Sequence, residues 1–369
     1  MALPVVRAVD EVSSGLRMSE PIKRTIDDIA PFNETARRVA THRQDVLTKP
    51  RGSLGMLEHI AADVAGVMAT PEPSPEPCAL VLAAGDHGVV EEGVSAYPGS
   101  VTAQMVRNFL AGGAAINAIA HSVGVRIYPV DAGVDEDFGR LPGLYDRKLS
   151  RGSRNFVREP AMSSRHAEGI VAAGIELAVS LHELGYGAIA LGDMGIGNTA
   201  SAAAVTALMT GRDAAGVTGR GTMVGKDRYR HKIRVVDSAL DRHAAARDGL
   251  SVLAAVGGYE TGFLAGCVLG AASRRLPVIL DGFPTTAAAL IACELCTHAR
   301  RYCFAGHLST EPGHRIALEH LGLAPLLNLG MRLGEGAGAV LAYSLIRAAC
   351  RCLNEMATFT EASVAGKLD

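Results

Sequence analysis

A carboxylate flanked by small residues is the first place to look for chemistry, and NLGMRLGEGAGAVLA supplies one. Glu335 stands there between Gly334 and Gly336, just ahead of an apolar helical stretch. Small neighbours leave such a carboxylate open to a ligand, and weakly polar surroundings raise its pKa toward general-base range. A helix start pulls the other way, because its dipole favours the ionised form. Spacing alone leaves both readings open. A second candidate is GDMGIGNTA, Gly192 to Ala200, with Asp193 as its acid. Its glycines let backbone approach a ligand closely, and N–H groups at the start of the next helix suit a phosphate. Asn198 and Thr199 add hydrogen-bonding side chains, and Gly195, Gly197 and Ala200 also satisfy G-x-G-x-x-A, the dinucleotide fingerprint. That fingerprint expects an acidic residue at the end of the following strand. The stretch here, TGRDAAGVTGRGT, does not read as a strand. Phosphate binding, a tight structural turn and dinucleotide binding are the competing readings.

A third segment, AGDHGVVEEGVSAYPGSVTAQM, runs from Ala84 to Met105. A flat aromatic substrate can lie against Tyr97, Val101 and Met105, with Ser95 or Gln104 offering hydrogen bonds. Asp86 and His87 read as residues that fix the loop, since the chain has neither a G-x-S-x-G elbow nor H-E-x-x-H. His307 and His314, in GHLSTEPGH, are candidate ligand contacts or ordinary packed histidines. Lys49, Arg51 and the run Gly219 to Thr222 offer phosphate contacts or plain solvated charge. Cys293, Cys296, Cys303 and His307 give C-x2-C-x6-C-x3-H, which superficially resembles a zinc site. The cysteines continue apolar runs and the spacing fits no standard zinc pattern, so core packing is expected and no metal. Cys350 and Cys352 are read in the same way.

The elements that must position these residues are legible in outline. Pro71 to Pro77, PEPSPEP, is a stiff linker; before it, Ala30 to about Ala69 is helical, with a turn at LTKPRGSLG. After it, short apolar runs alternate with Ala-rich helical stretches, the pattern of βαβ units and a parallel sheet. Five runs (Ala79–Ala84, Val125–Val130, Tyr186–Leu191, Pro277–Leu280 and Arg301–Ala305) each end in glycine plus a polar residue. In an open α/β sheet such strand ends converge on one crevice. No internal repeat and no long low-complexity segment interrupts the pattern.

Bulk properties exclude several classes. The 369 residues carry a formal net charge of -2, with 48% hydrophobic and 20% charged residues, ordinary for a soluble globular protein. No basic stripe interleaves with aromatics, so no nucleic-acid partner is expected. Apolar stretches are broken by Glu260, Arg274, Glu335 and Arg347 before they reach spanning length. Seven cysteines without an export signal point to reduced thiols and a cytoplasmic location.

Taken together and in this order, TKPRGSLGMLE, AGDHGVVEEGVSAYPGSVT, GDMGIGNTA, VTGRGT, PVILDGFPTTAAAL, STEPGH and LNLGMRLGEGAGAVLA resemble the nicotinate-nucleotide–dimethylbenzimidazole phosphoribosyltransferase family. The resemblance spans about Ala30 to Ala362. It implies a Rossmann-like α/β fold, a mostly parallel sheet with helices on both faces, and a homodimer. It also implies a small helical domain from both chain ends (30–70 and 342–369) beside a large catalytic domain (78–341), whereas the first stretch (1–29) departs from the pattern and reads as a loosely ordered N-terminal extension. The implied reaction moves phosphoribose from nicotinate mononucleotide to a benzimidazole-type base, giving alpha-ribazole 5'-phosphate, with no cofactor and no metal. Glu335 matches the family's general base. Asp193 stands where the family pattern has Glu, and its shorter side chain reaches less far. The stretch GTMVGKDRYRHK departs from the pattern, which leaves Met223 to Lys232 without an assigned role. Two other classes compete: a dinucleotide-dependent oxidoreductase resting on Gly195 and Gly197, and a nucleotide-binding protein without turnover.

Overall fold

The computed structural model describes residues 18–221 and 225–365. Expectations for residues 1–17, for Thr222, Met223 and Val224, and for residues 366–369 lie outside them. Six strands form one sheet: β1 (Cys78–Gly85), β2 (Arg126–Gly133), β3 (Tyr145–Asp146), β4 (Ala188–Met194), β5 (Val278–Leu280) and β6 (Cys303–Ala305). Every pairing is parallel and the order is β3-β2-β1-β4-β5-β6. This is the strand order of a doubly wound nucleotide-binding fold, whose direction reverses between β1 and β4. Five of the strands fall on the apolar runs read from the sequence. The sixth, β3, is two residues at an edge and has no apolar run to announce it.

Alternation along the strands explains why both faces need helices. In β1, Ala79, Val81 and Ala83 enter one core, while Cys78, Leu80 and Leu82 enter another, as a period of two requires. All eight residues of β1 are buried, so the strand reads as a continuous apolar run rather than an alternating one. The first core is closed by the helices Ser164–Glu183, Asn198–Thr210, Tyr259–Ser273 and Phe283–Leu295. The second is closed by the helices Met56–Met68, Ala115–Val123 and Ala337–Glu355.

The chain ends meet on that second face. Leu47 bridges Thr358 in antiparallel fashion, with Thr48 N–H donating to Ala357 O at 3.0 Å and Phe359 N–H to Val46 O at 3.1 Å. The expected looseness of the first thirty residues does not extend to Glu20–Asp27, which is a helix. Ile22, Ile26 and Ile29 pack on the first core. Their spacing of four and three residues is a helical stripe, which is why this short segment docks.

Candidate active site

Strand β4 brings Asp193 to its carboxyl end, and the chain after β6 returns Glu335 beside it. Glu335 N–H donates to Asp193 O at 3.2 Å. Glu335 holds φ at +62°, between Gly334 at +81° and Gly336 at +86°. A left-handed conformation costs a residue with a side chain about 1–3 kcal/mol, so the surroundings must enforce it. Part of the enforcement is Gly192: a Cβ there would lie 2.7 Å from the carbonyl carbon and oxygen of Glu335. The glycine before Asp193 thus lets the Glu335 turn lie directly against β4.

Both carboxylates line a cleft of about 970 Å³ at the carboxyl ends of the strands. Glu335 is only 6% exposed, and its Oε2 finds no hydrogen-bond partner among the described residues. Burial pushes its carboxyl above the usual range, and the Ile116 N–H offsets part of that. Desolvation therefore outweighs the helix start, and the group is poised to take a proton. Asp193 is buried too; Asn198 Nδ2 donates to its Oδ2 at 2.5 Å, while Oδ1 is unpartnered among the described residues. Burial, with the negative charges of Asp281 and Glu260, pushes it up to about 8.

Next to Asp193 the cleft wall carries a helix start and a buried lysine. Gly197, at φ +95°, caps the helix Asn198–Thr210, and Lys232 Nζ donates to Thr199 Oγ1 at 2.8 Å. Lys232 is 1% exposed; burial brings its ammonium down to about 8, against an opposing pull from Glu311. Glu311 Oε1 in turn accepts from Gly221 N at 2.9 Å and fixes that loop. A helix start and a buried lysine on one wall have the chemistry that suits a phosphate.

Of the residues singled out from the sequence, Ser95, Tyr97, Asp193, Gly195, Gly197, Asn198, Thr199, Gly334 and Glu335 all line this cleft. Gln104 does not. It is exposed on the helix Val101–Ala111, whose cleft-facing residues are Val101 and Met105, four apart. Lys49 and Arg51 also lie away from the cleft, on Glu58 at 2.7 Å and Asp45 at 3.1 Å. Asp86 accepts from Asp135 N at 2.8 Å, and His87 lies 3.1 Å from the buried Glu260; both hold loops behind the cleft wall. His314 is a packed histidine: Ser309 N–H donates to its Nδ1 at 3.0 Å and Thr286 Oγ1 is 3.0 Å from Nε2. Cys293, Cys296 and Cys303 are buried in the main core.

Three residues in or behind the site escape the sequence reading. Lys232 lies in the stretch left without a role, yet it shares a buried helix face with Val235, Val236 and Ala239. A lysine on an apolar stripe is the available signal. Asp281 follows β5 and binds the start of the helix Ala337–Glu355, which only tertiary structure reveals. Glu260, paired with His87, opens an apolar helix and gives no sign of its partner.

The dinucleotide reading fails on topology. The glycine motif follows β4, not β1, and after its helix the next strand is β5 at Val278, far beyond the expected acidic residue. Comparison with known proteins agrees with the cleft. The phosphoribosyltransferase family model matches residues 29–364. The nicotinate-nucleotide–dimethylbenzimidazole phosphoribosyltransferase of Chloroflexus aurantiacus is 50% identical over 348 residues, covering 94% of this chain and 99% of its own. That of Geobacter sulfurreducens is 46% identical over 345 residues, 93% of this chain and 98% of its own. A crystal structure of the Thermus thermophilus enzyme of that name superposes with a TM-score of 0.86 at 46% identity, covering 91% of this chain and all of that one, 100%. With a matching fold, a matching length and its cleft on the matched residues, the chain belongs to the nicotinate-nucleotide–dimethylbenzimidazole phosphoribosyltransferase family.

Proposed function

We propose that the chain transfers phosphoribose from nicotinate mononucleotide to 5,6-dimethylbenzimidazole or a related base, giving alpha-ribazole 5'-phosphate and nicotinate for the cobalamin nucleotide loop. The observation that carries this reading is Glu335 itself: a buried carboxylate with a raised pKa and a free oxygen, on the wall of a cleft that also holds a helix start and a buried lysine suited to a phosphate. The donor's phosphate takes the helix start at Asn198 and Thr199 and the Lys232 ammonium. Its ribose then lies beside Asp193, which Asn198 already contacts.

The acceptor's unprotonated ring nitrogen attacks C1′ from the face opposite nicotinate, so the β-glycoside becomes an α-glycoside. The C1′–N bond electrons pass to the departing pyridinium, which leaves as a neutral ring. The acceptor's other nitrogen loses its proton to Glu335, and charge balances. Apolar Val101, Met105 and Met194, with Tyr97 at the rim, offer the slot for a flat base. Asp193, pushed up to about 8 by burial and the negative charges around it, gains its charge when a cationic donor ring lies near it. An ionised Asp193 then stabilises the positive charge that grows on the ribose.

We further read the molecule as a cytoplasmic homodimer without a nucleic-acid partner. Tyr97 and Leu333, 55% and 51% exposed on the cleft rim, form an apolar edge suited to cover by a second copy. All seven thiols are free, and among the described residues no helix is long and apolar enough to cross a membrane. The deciding experiment incubates the protein with nicotinate mononucleotide and a panel of bases, and identifies products. Nicotinate and a base-linked ribotide must appear together, only when both substrates are present. Nicotinate release independent of any base would end this reading.

A further inference from the structure

Among the described residues, Asp281 is the acid behind the cleft's inner wall whose hydrogen bonds all go to the turn that carries Glu335. Its Oδ1 accepts from Gly338 N at 2.6 Å and Ala339 N at 3.2 Å, and its Oδ2 from Gly336 N at 3.2 Å. These are first-turn N–H groups, which have no partner inside the helix. Asp281 is 1% exposed and stands directly after β5, so its position is set by the sheet. Glu335 precedes the clamped segment and keeps its left-handed backbone at φ +62°.

We propose that Asp281 is a positioning residue for the reaction: by clamping the amides of Gly336, Gly338 and Ala339 it holds Glu335 in the left-handed turn that presents its carboxylate to the acceptor. The proposal rests on Glu335 as the base. Two constraints converge on that turn from opposite sides. Gly192 of β4 supplies room beneath it, since a Cβ would lie 2.7 Å from the Glu335 carbonyl. Asp281 supplies the pull. Without the clamp, the three adjacent positive φ angles lose the Gly336 N–H bond and the two first-turn bonds after it, keeping the Glu335 N–H on Asp193 O and the Ala337 N–H on Gly334 O at 3.1 Å, and the strained turn relaxes. Packing behind the clamp is close: His307 Nε2 is 3.7 Å from Asp281 Oδ1, and a Cβ on Gly338 would meet the His307 ring at 2.0 Å. Asp281 does not line the cleft, so it touches no substrate itself; its hydrogen bonds act on the Glu335 turn, while its charge also bears on Asp193.

Asp281→Asn keeps size and one acceptor oxygen but turns an amide NH2 against a backbone N–H. Kinetics are measured with nicotinate mononucleotide and 5,6-dimethylbenzimidazole for the wild type, Asp281→Asn, Glu335→Gln and the double variant. The expected result is a fall in kcat of about tenfold or more for Asp281→Asn, with the KM for nicotinate mononucleotide changed by less than about twofold. In the Glu335→Gln background the same change costs less than about twofold more, because the clamp acts through a base no longer present. A wild-type kcat in Asp281→Asn, or losses that multiply in the double variant, overturns the proposal. Full activity in Glu335→Gln instead refutes the base assignment, and with it the need for a clamp. If Asp281→Asn does not fold, amide exchange of the wild type decides. The Gly338 and Ala339 amides must be as protected as mid-helix ones, and exchange at the rate of open first-turn amides overturns the clamp.

Discussion

The amide of Glu335 donates to the carbonyl of Asp193 at 3.2 Å, so the two cleft carboxylates are tied through backbone rather than side chain. The tie joins the end of β4 to the turn before the last helix, segments far apart in the sequence. Its consequence is chemical. Each carboxyl group is buried and lifted above its ordinary range, yet neither side chain needs to bond the other. Each keeps one oxygen without a partner among the described residues, Oε2 of Glu335 and Oδ1 of Asp193, and on the proposed reading the first serves the acceptor and the second the sugar.

Removing the base while keeping its shape tests the first of these roles. Glu335→Gln should lower kcat by about 10²–10⁴, the usual worth of a positioned base, and leave the KM for nicotinate mononucleotide near its wild-type value. Steady-state release of nicotinate in the presence of 5,6-dimethylbenzimidazole measures both. Equal rates in variant and wild type would remove Glu335 from the mechanism.

Lys232 gives the pH profile its alkaline side. A lysine brought down to about 8 by burial is charged below that pH and neutral above it, so the free protein loses its phosphate-facing cation as pH rises. kcat/KM for nicotinate mononucleotide should therefore fall above about pH 8. Lys232→Met should be weak throughout and lack that falling limb. A limb of the same midpoint in the variant would assign it to another group.

What can be read in advance follows from how local each signal is. The strands are legible because burial on both faces makes them uniform apolar runs, as CALVLAAG of β1 is. Glu335 and the Gly192–Thr199 loop are legible because glycine beside a polar residue is itself the signature of close backbone approach. Gln104 misses the cleft by one position, a helical rotation of about 100° that moves a side chain from cleft to solvent. Asp281 is legible as the polar residue that ends a strand, but its clamp is not, because its partners, Gly336, Gly338 and Ala339, are distant in sequence and are reached only once β5 and the last helix pack together.

The helix Glu20–Asp27 makes a stability prediction where the sequence suggests looseness. Ile22 is fully buried against the first core. Ile22→Ala should cost about 2–5 kcal/mol, the range for deleting a buried aliphatic side chain. Urea unfolding at neutral pH measures it. A change within about 0.5 kcal/mol, as at an exposed site, would mean the segment is not docked in solution.

His314 predicts how stability responds to acid. Burial, reinforced by His307, brings its pKa down to about 3, below the value of about 6.5 for an unfolded chain. Between those two values the unfolded chain takes a proton that the folded protein refuses. The neutral ring's contribution is thus complete above about pH 6.5 and is lost as pH falls, by up to about 1.4 kcal/mol per pH unit. Asp193 and Asp281, whose carboxyls are raised to about 8 and about 7, push the other way by binding protons more readily when folded, so the wild-type curve sums opposing contributions. The comparison with His314→Gln isolates the histidine. Glutamine's oxygen can still accept from Ser309 N–H but carries no titration, so the variant's deficit in urea unfolding should be largest near neutral pH and shrink steadily as the solution is acidified. Parallel stability curves for the two proteins would show that His314 binds its proton equally well folded and unfolded.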